Sequence, residues 1–272
     1  MNALRLGWAR GRIELRQSLT NPADLFNHCF WPALMLVTLY FLRHRTFGGA
    51  SVPLGALVLP SILGMDASMA MVTMSQQLTA DREDGTLLRA RATPGGVRAY
   101  LVGKVLAVAL GLLVDLAIFL GPALLIIPPA RTPDAATVAW VLALGLLATL
   151  PIGAVLGALF PTVRGQGLLT LPVLAVIGIS GIFYPITALP GWVQGIAQAF
   201  PVYWLGLGMR SALLPADAVA VEIGGSWRPL ETAAVLAVWA LAGLALAPLV
   251  LRERLALHHR PQPGGGGRGQ GR

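Results

Sequence analysis

Charged residues are scarce in this chain. Of its 272 residues, 12% are Asp, Glu, Lys or Arg and 56% are hydrophobic, and the mean hydropathy is +0.70. So few charges do not cover the surface of a soluble globule of this length, whereas several apolar runs are long enough to cross a bilayer. The composition excludes an ordinary soluble domain and predicts an all-α polytopic membrane protein.

Residues that build covalent frameworks and metal centres are also rare. Cys29 is the one cysteine, so a single chain forms neither a disulfide nor a thiolate metal site. Gly103-Lys104 lacks the earlier Gly and the following Ser or Thr of a phosphate-binding loop. Four histidines are too scattered to predict a metal site, namely His28, His44, His258 and His259. We therefore predict no catalytic, metal or cofactor site in this chain.

Basic residues outnumber acidic ones, which gives a formal charge of +8. They lie at the ends of apolar segments and form no stripe with aromatic residues, so no nucleic acid partner is predicted. Orientation in a bilayer explains them better, because cytoplasmic loops carry an excess of Lys and Arg.

The apolar runs predict the membrane spans. Four runs and a C-terminal one cover residues 25–42, 52–80, 104–127, 135–160 and 231–251. Residues 165–209 are uncharged and predict either one span plus a re-entrant pair of short helices or two spans. The first alternative places 15 basic residues inside and 5 outside, and the second places 12 and 8. We therefore predict six spans with both termini cytoplasmic.

Segments outside the spans complete the predicted organisation. Residues 1–22 have Leu and Trp on one side and Arg on others, as in an amphipathic interfacial helix or, alternatively, a solvated one. Residues 23–255 are predicted to form one membrane domain of six spans, and the Gly-rich residues 256–272 predict a disordered tail.

The segment before the last span, residues 189–214, is rich in Pro and aromatic residues. Its side chains act either as interfacial anchors or as an external gate lining a cavity. The candidate gate residues are Pro190, Trp192, Phe200, Pro201 and Tyr203.

Residues 79–104 hold eight charges of both signs between two apolar runs. Asp81, Glu83 and Asp84 precede Leu87 and Leu88, and arginines follow. This order predicts a short helix whose dipole is complemented at both ends and whose two leucines are free to enter a groove on a soluble partner. The alternative is a solvated loop without a partner. Thr93-Pro94 then predicts the start of the next helix.

The same segment resembles half of another signature. Asp81-x-x-Asp84-Gly85 resembles the first half of the CDP-alcohol phosphotransferase motif, which needs four carboxylates for two metals. The second half is absent, because Arg98, Val102 and Leu106 occupy its positions.

Taken over nearly its whole length, the chain resembles the permease subunit of ABC-2 type transporters, most closely the bacterial drug- and antibiotic-export branch. The resemblance rests on the N-terminal helix, six predicted spans, the charged segment 79–94 and the Pro-bounded segment 189–214. It implies a coupling helix that docks into a separate ATPase subunit. The matching residues are Asp81, Arg82, Glu83, Asp84, Gly85, Thr86, Leu87, Leu88 and Arg89.

The resemblance also implies the assembly and its location. Two permeases, as a homodimer, work with ATPase subunits that bind ATP and Mg, in the bacterial inner membrane. The expected function is export of a hydrophobic or amphipathic small molecule. A proton-driven secondary transporter and a CDP-alcohol phosphotransferase-like enzyme are the alternatives.

Two acidic residues, Asp66 and Asp115, are predicted near mid-membrane, where a charge is costly. Asp66, Met69, Thr73 and Gln77 share one helical face. This face lines either the cargo path or the dimer interface. Alternatively, each Asp is a structural hydrogen-bonding group between helices.

Overall fold

The architecture is helical throughout the described part of the chain. The computed structural model describes residues 3–46, 53–93, 96–127, 133–160 and 162–257, without the side chains of residues 3, 91, 163, 164, 217, 221 and 251–257. The α helices are α1 (Ala3–Thr20), α2 (Pro22–Leu42), α3 (Leu54–Glu83), α4 (Thr86–Arg91), α5 (Gly96–Ile126), α6 (Ala135–Leu159), α7 (Val163–Ile179), α8 (Gly191–Ala199), α9 (Pro201–Leu213) and α10 (Pro229–Leu257). Short 3-10 helices cover Ile186–Ala188, Ala216–Val221 and Ile223–Gly225.

Five of the described helices are long and apolar enough to cross a membrane: α2, α3, α5, α6 and the part Pro229–Val250 of α10. They coincide with five of the six predicted spans. The remaining prediction falls on α7, which is apolar but has 17 residues, fewer than the roughly 20 of a full crossing. After it come α8 with 9 residues and α9 with 13, neither long enough to be a span. One longer helix followed by two short ones is the helix order of the first alternative for residues 165–209, one span plus a pair of short helices.

Two predicted boundaries fall at or near undescribed residues. The described part of the third long helix begins at Gly96, and Pro94 of the predicted Thr93-Pro94 start lies outside the described residues. The last helix extends to Leu257, so the predicted tail begins within α10, and its remainder, residues 258–272, also lies outside the described part.

The centre of the bundle is α3. Of its most apolar 18-residue window, 72% is buried, compared with 61% for α6, 17% for α10 and 11% for α2. It packs against α5, α6, α7 and α9. Thr149 of α6 donates a hydrogen bond to the Ala67 carbonyl of α3 at 3.3 Å, as expected where helices associate through small and hydroxyl side chains. A displacement of α3 would therefore change its packing against most of the other helices.

Candidate functional site

The charged segment is divided by a break between α3 and α4. Asp84 ends α3 with its N–H donating to the Ala80 carbonyl, and Gly85 follows with φ 75°. Nothing lies within 4 Å of a Cβ at Gly85, so the backbone conformation and not space requires glycine there. The prediction of one short helix beginning at Asp81 is wrong, because Asp81 and Glu83 belong to the end of α3.

The carboxylate of Asp84 fixes the start of α4. Its Oδ1 accepts a hydrogen bond from the Thr86 N–H at 2.8 Å. Hydrogen bonding to the side chain and then to the backbone of Thr86 holds the pKa of Asp84 below its ordinary value. The ionised form therefore caps the orphan donors at this helix end.

The two leucines of α4 have different environments. Leu87 is 3% exposed and packs with Ala90 into the main core, whereas Leu88 is 61% exposed. The expectation that both leucines are free is thus wrong for Leu87. Arg89 is exposed and donates to the Thr86 hydroxyl at 3.0 Å. The outer surface of α4 therefore presents Leu88 beside Arg89, and the buried Leu87 on the opposite side anchors the helix to the core.

A buried lysine holds the ends of α3 and α5 together. Lys104 Nζ lies 2.7 Å from Asp81 Oδ2 and 2.9 Å from Glu14 Oε2, and Lys104 is 5% exposed. The Tyr100 hydroxyl donates to Asp81 Oδ2 at 2.7 Å, and Arg10 Nε donates to Glu14 Oε1 at 2.8 Å. We call these five residues the Lys104 cluster. It joins α1, α3 and α5 directly beside α4.

A second polar contact attaches the same end of α3 to α6 and α7. Gln166 donates to the Thr79 hydroxyl at 2.8 Å and to the Phe160 carbonyl at 3.1 Å, and Ser75 donates to Gln166 Oε1 at 2.8 Å. Arg82 adds a bond to the Ala158 carbonyl at 3.4 Å. The helix that precedes α4 is therefore fixed on both sides.

Comparison with known families identifies the chain at the level of a family. The sequence model of the ABC-2 type transporter family matches residues 8–214, well over half of the chain. The chain belongs to this family. No curated protein matches the chain. Because the family is the membrane component of a transporter, the ABC-2 permease is a multi-pass membrane protein, and the residues of α4 lie within the matched range.

The contacts of Asp81 and Asp84 can be compared with those that the CDP-alcohol phosphotransferase motif requires. In the permease, Asp81 pairs with Lys104 and Asp84 caps α4. The carboxylate nearest to Asp81 is Glu14, and the Lys104 ammonium lies between the two; no group of three potential metal ligands occurs among the described residues. These contacts give the two-metal chemistry no support.

The predicted polar face of α3 is less buried than the rest of this helix. Thr73 is exposed, and Asp66, Met69 and Gln77 are partly buried, whereas most of α3 is buried. Asp66 and Asp115 lie on different helices, α3 and α5.

Asp115 has a partner that the sequence did not predict. Its carboxylate contacts His28 Nδ1 on α2, and His28 Nε2 lies 2.9 Å from the Ser18 hydroxyl of α1. No described hydrogen bond includes the Asp66 side chain, so within the described chain Asp66 has the less satisfied carboxylate. This supports a structural role for Asp115 and leaves Asp66 available for another ligand.

The candidate gate residues divide into two groups. Pro190 and Trp192 are exposed, Trp192 by 71%, which suits an interfacial anchor. Pro201 and Tyr203 are buried within α9, and the Phe200 ring lies 6.1 Å from the ring of Trp239 on α10. The five residues therefore do not line one common surface.

The strongest contact near α9 involves a residue that the sequence analysis counted only as a charge. Arg210 and Glu222 form a two-pronged ion pair with distances of 2.6 and 3.3 Å, and they are 3% and 6% exposed. Arg210 also donates to the Ser61 hydroxyl of α3 at 3.0 Å. Ser61 and Asp81 are separated by about 30 Å of helix at 1.5 Å per residue. The pair therefore lies at the end of α3 opposite α4.

We expect Glu222→Gln to destabilise the permease by about 3 kcal/mol, because Arg210 would remain buried without its counter-charge. The control is Glu231→Gln, since the Glu231 side chain is 52% exposed and pairs with Arg228 at 3.5 Å. The control should cost no more than about 0.5 kcal/mol. Thermal unfolding in detergent measures both, and equal losses would contradict a special role of the buried pair.

Proposed function

We propose that this chain is the transmembrane subunit of an ATP-driven ABC-2 exporter that moves hydrophobic or amphipathic small molecules out of a bacterial cell. In this assignment α7 is the fifth of six spans, both termini are cytoplasmic, and two copies form a homodimer in the inner membrane. A separate ATPase subunit binds ATP and Mg. The observation that carries the proposal concerns α4. This helix exposes Leu88, and the end of α3 that precedes it is joined to α1 and α5 by the ion pairs of Lys104.

The contacts suggest how motion passes from the ATPase to the membrane. ATP binding closes the ATPase pair and displaces the docked α4. The Lys104 cluster passes this displacement to α1, α3 and α5 together, as a near-rigid-body shift. Because Arg210 bonds to Ser61 of α3, the same shift reaches the opposite end of the bundle. ATP and cargo change the equilibrium only through their different affinities for the two states.

Reconstitution tests the function as a whole. The permease and the ATPase subunit recovered with it are placed together in liposomes, and movement of a lipophilic cationic dye is followed. We expect transport that requires both ATP and the ATPase subunit. Transport that continues after ATP depletion and stops when the proton gradient is removed would contradict the proposal.

One structural observation favours transport driven by a proton gradient. His28 on α2 contacts Asp115 on α5, which pairs two titratable side chains between membrane helices. Such pairs occur in proton relays as well as in structural networks. A proton-coupled secondary transporter is therefore the alternative function.

We expect Asp66→Asn to lower export of a cationic cargo by about tenfold, the effect of roughly 1.4 kcal/mol, and to leave a neutral cargo unchanged. The reason is that Asp66 lies on the less buried face of α3 and that no described hydrogen bond includes its side chain. Asp115→Asn is the comparison, because Asp115 already contacts His28. Export is measured at equal expression. Unchanged export of every cargo by Asp66→Asn would leave Asp66 as a structural residue only.

A further inference from the structure

A groove lies between α1 and α5. The two helices approach closely, since a Cβ at Gly11 would lie 2.9 Å from the Gly103 carbonyl oxygen. Beside this contact is an open groove of about 670 Å³. Its walls include Leu4, Arg5, Trp8, Leu101, Val105 and Leu106. The groove is open to the surroundings along one side, and its lining is apolar apart from one arginine.

Arg5 belongs to a row of unpaired cations. Arg5, Arg12 and Arg16 are exposed and share one face of α1. No described hydrogen bond or ion pair includes their side chains, unlike Arg10, which pairs with Glu14. Glu14 itself is turned toward Lys104, so it does not neutralise the row. The groove therefore has an apolar floor and one cation, Arg5, at its rim, and the rest of the row lies farther along α1.

We propose that this groove binds one anionic phospholipid, with its phosphate at Arg5 and an acyl chain along Val105 and Leu101. A soluble anion would use the arginine but leave the apolar wall in water. A neutral lipid would cover the wall but leave the arginines unpaired. Trp8, half exposed at the rim, is a residue that favours the headgroup level of a bilayer.

A lipid bound in this groove would also affect the segment that carries α4. Its wall is α1, and α1 is joined through Glu14 and Lys104 to Asp81 at the base of α4. A lipid that holds α1 against α5 therefore also steadies this base. This effect on transport rests on the proposed exporter function, whereas the binding itself does not.

Native mass spectrometry of the purified full-length permease tests the binding without ATPase or cargo. The chain is titrated with phosphatidylglycerol and, separately, with phosphatidylcholine. We expect one preferred phosphatidylglycerol and a weaker, unsaturated uptake of phosphatidylcholine. Arg5→Gln should lower the phosphatidylglycerol affinity about fivefold, the typical effect of one arginine near an anionic lipid.

Arg16→Gln is the matched control. It removes the same charge from the same helix face, but about 16 Å further along α1 and away from the groove. It should change the affinity less than twofold. Val105→Trp, which fills the groove from a partly exposed position, should lower the affinity as Arg5→Gln does. Equal effects of the two arginine changes, no effect of Val105→Trp, or equal binding of both lipids would each overturn the site.

Discussion

Leu88→Asp should abolish recovery of the ATPase subunit when the tagged permease is purified from its native membranes. Leu88 is 61% exposed at the surface of α4, so the change leaves the permease core intact. At a docked interface it removes a buried leucine and places a carboxylate in the partner's groove. The combined cost is about 3 kcal/mol, roughly a hundredfold in affinity. Co-purification in mild detergent, with quantification of the partner, measures it.

Two comparisons separate docking from folding. Leu88→Met keeps an apolar side chain and should retain the partner. Leu87→Asp places a charge in the core, because Leu87 is 3% exposed, and should lower the amount of folded permease itself. Normal partner recovery with Leu88→Asp would contradict docking through α4. Absence of an ATPase even with the unmodified chain would favour the proton-driven alternative.

The spans were predictable because hydropathy and length decide them locally. The runs at residues 25–42, 52–80 and 135–160 correspond to α2, α3 and α6 to within three residues at each end. The position of the charged segment outside the hydrocarbon stays a prediction, based on the cost of charge between two apolar runs. Its exposed face was not predictable, because the left-handed conformation of Gly85 sets where α4 begins and hence which leucine points outward.

The ion pairs could not be derived in the same way. Lys104 pairs with Glu14, 90 residues earlier in the sequence, and with Asp81, 23 residues earlier. Sequence positions alone do not say which helices are neighbours. One signal was nevertheless present: Lys104 is the only lysine and lies inside an apolar helix, where a charge needs a partner. The same reasoning applied to Arg210 would have suggested a buried acid such as Glu222.

Lys104→Met should lower the stability of the permease by about 3 kcal/mol. Without the ammonium group, the carboxylates of Asp81 and Glu14, which are 17% and 19% exposed, would repel each other at the junction of three helices. The apparent melting temperature in detergent should fall by on the order of 10 °C. Arg98→Met is the matched control, because Arg98 is an exposed cation on the same helix, and it should change stability by no more than about 0.5 kcal/mol.

A triple variant separates the stabilising role of the Lys104 cluster from its role in coupling. Lys104→Met combined with Asp81→Asn and Glu14→Gln removes all three charges, so the repulsion disappears and most of the lost stability should return. Docking through Leu88 should also persist, since α4 is unchanged. Without the two ion pairs of Lys104, which join α1 and α3 to α5, the cargo moved per ATP hydrolysed should nevertheless fall several-fold in the liposome assay. Full transport by this stable variant would show that the cluster only supports the fold.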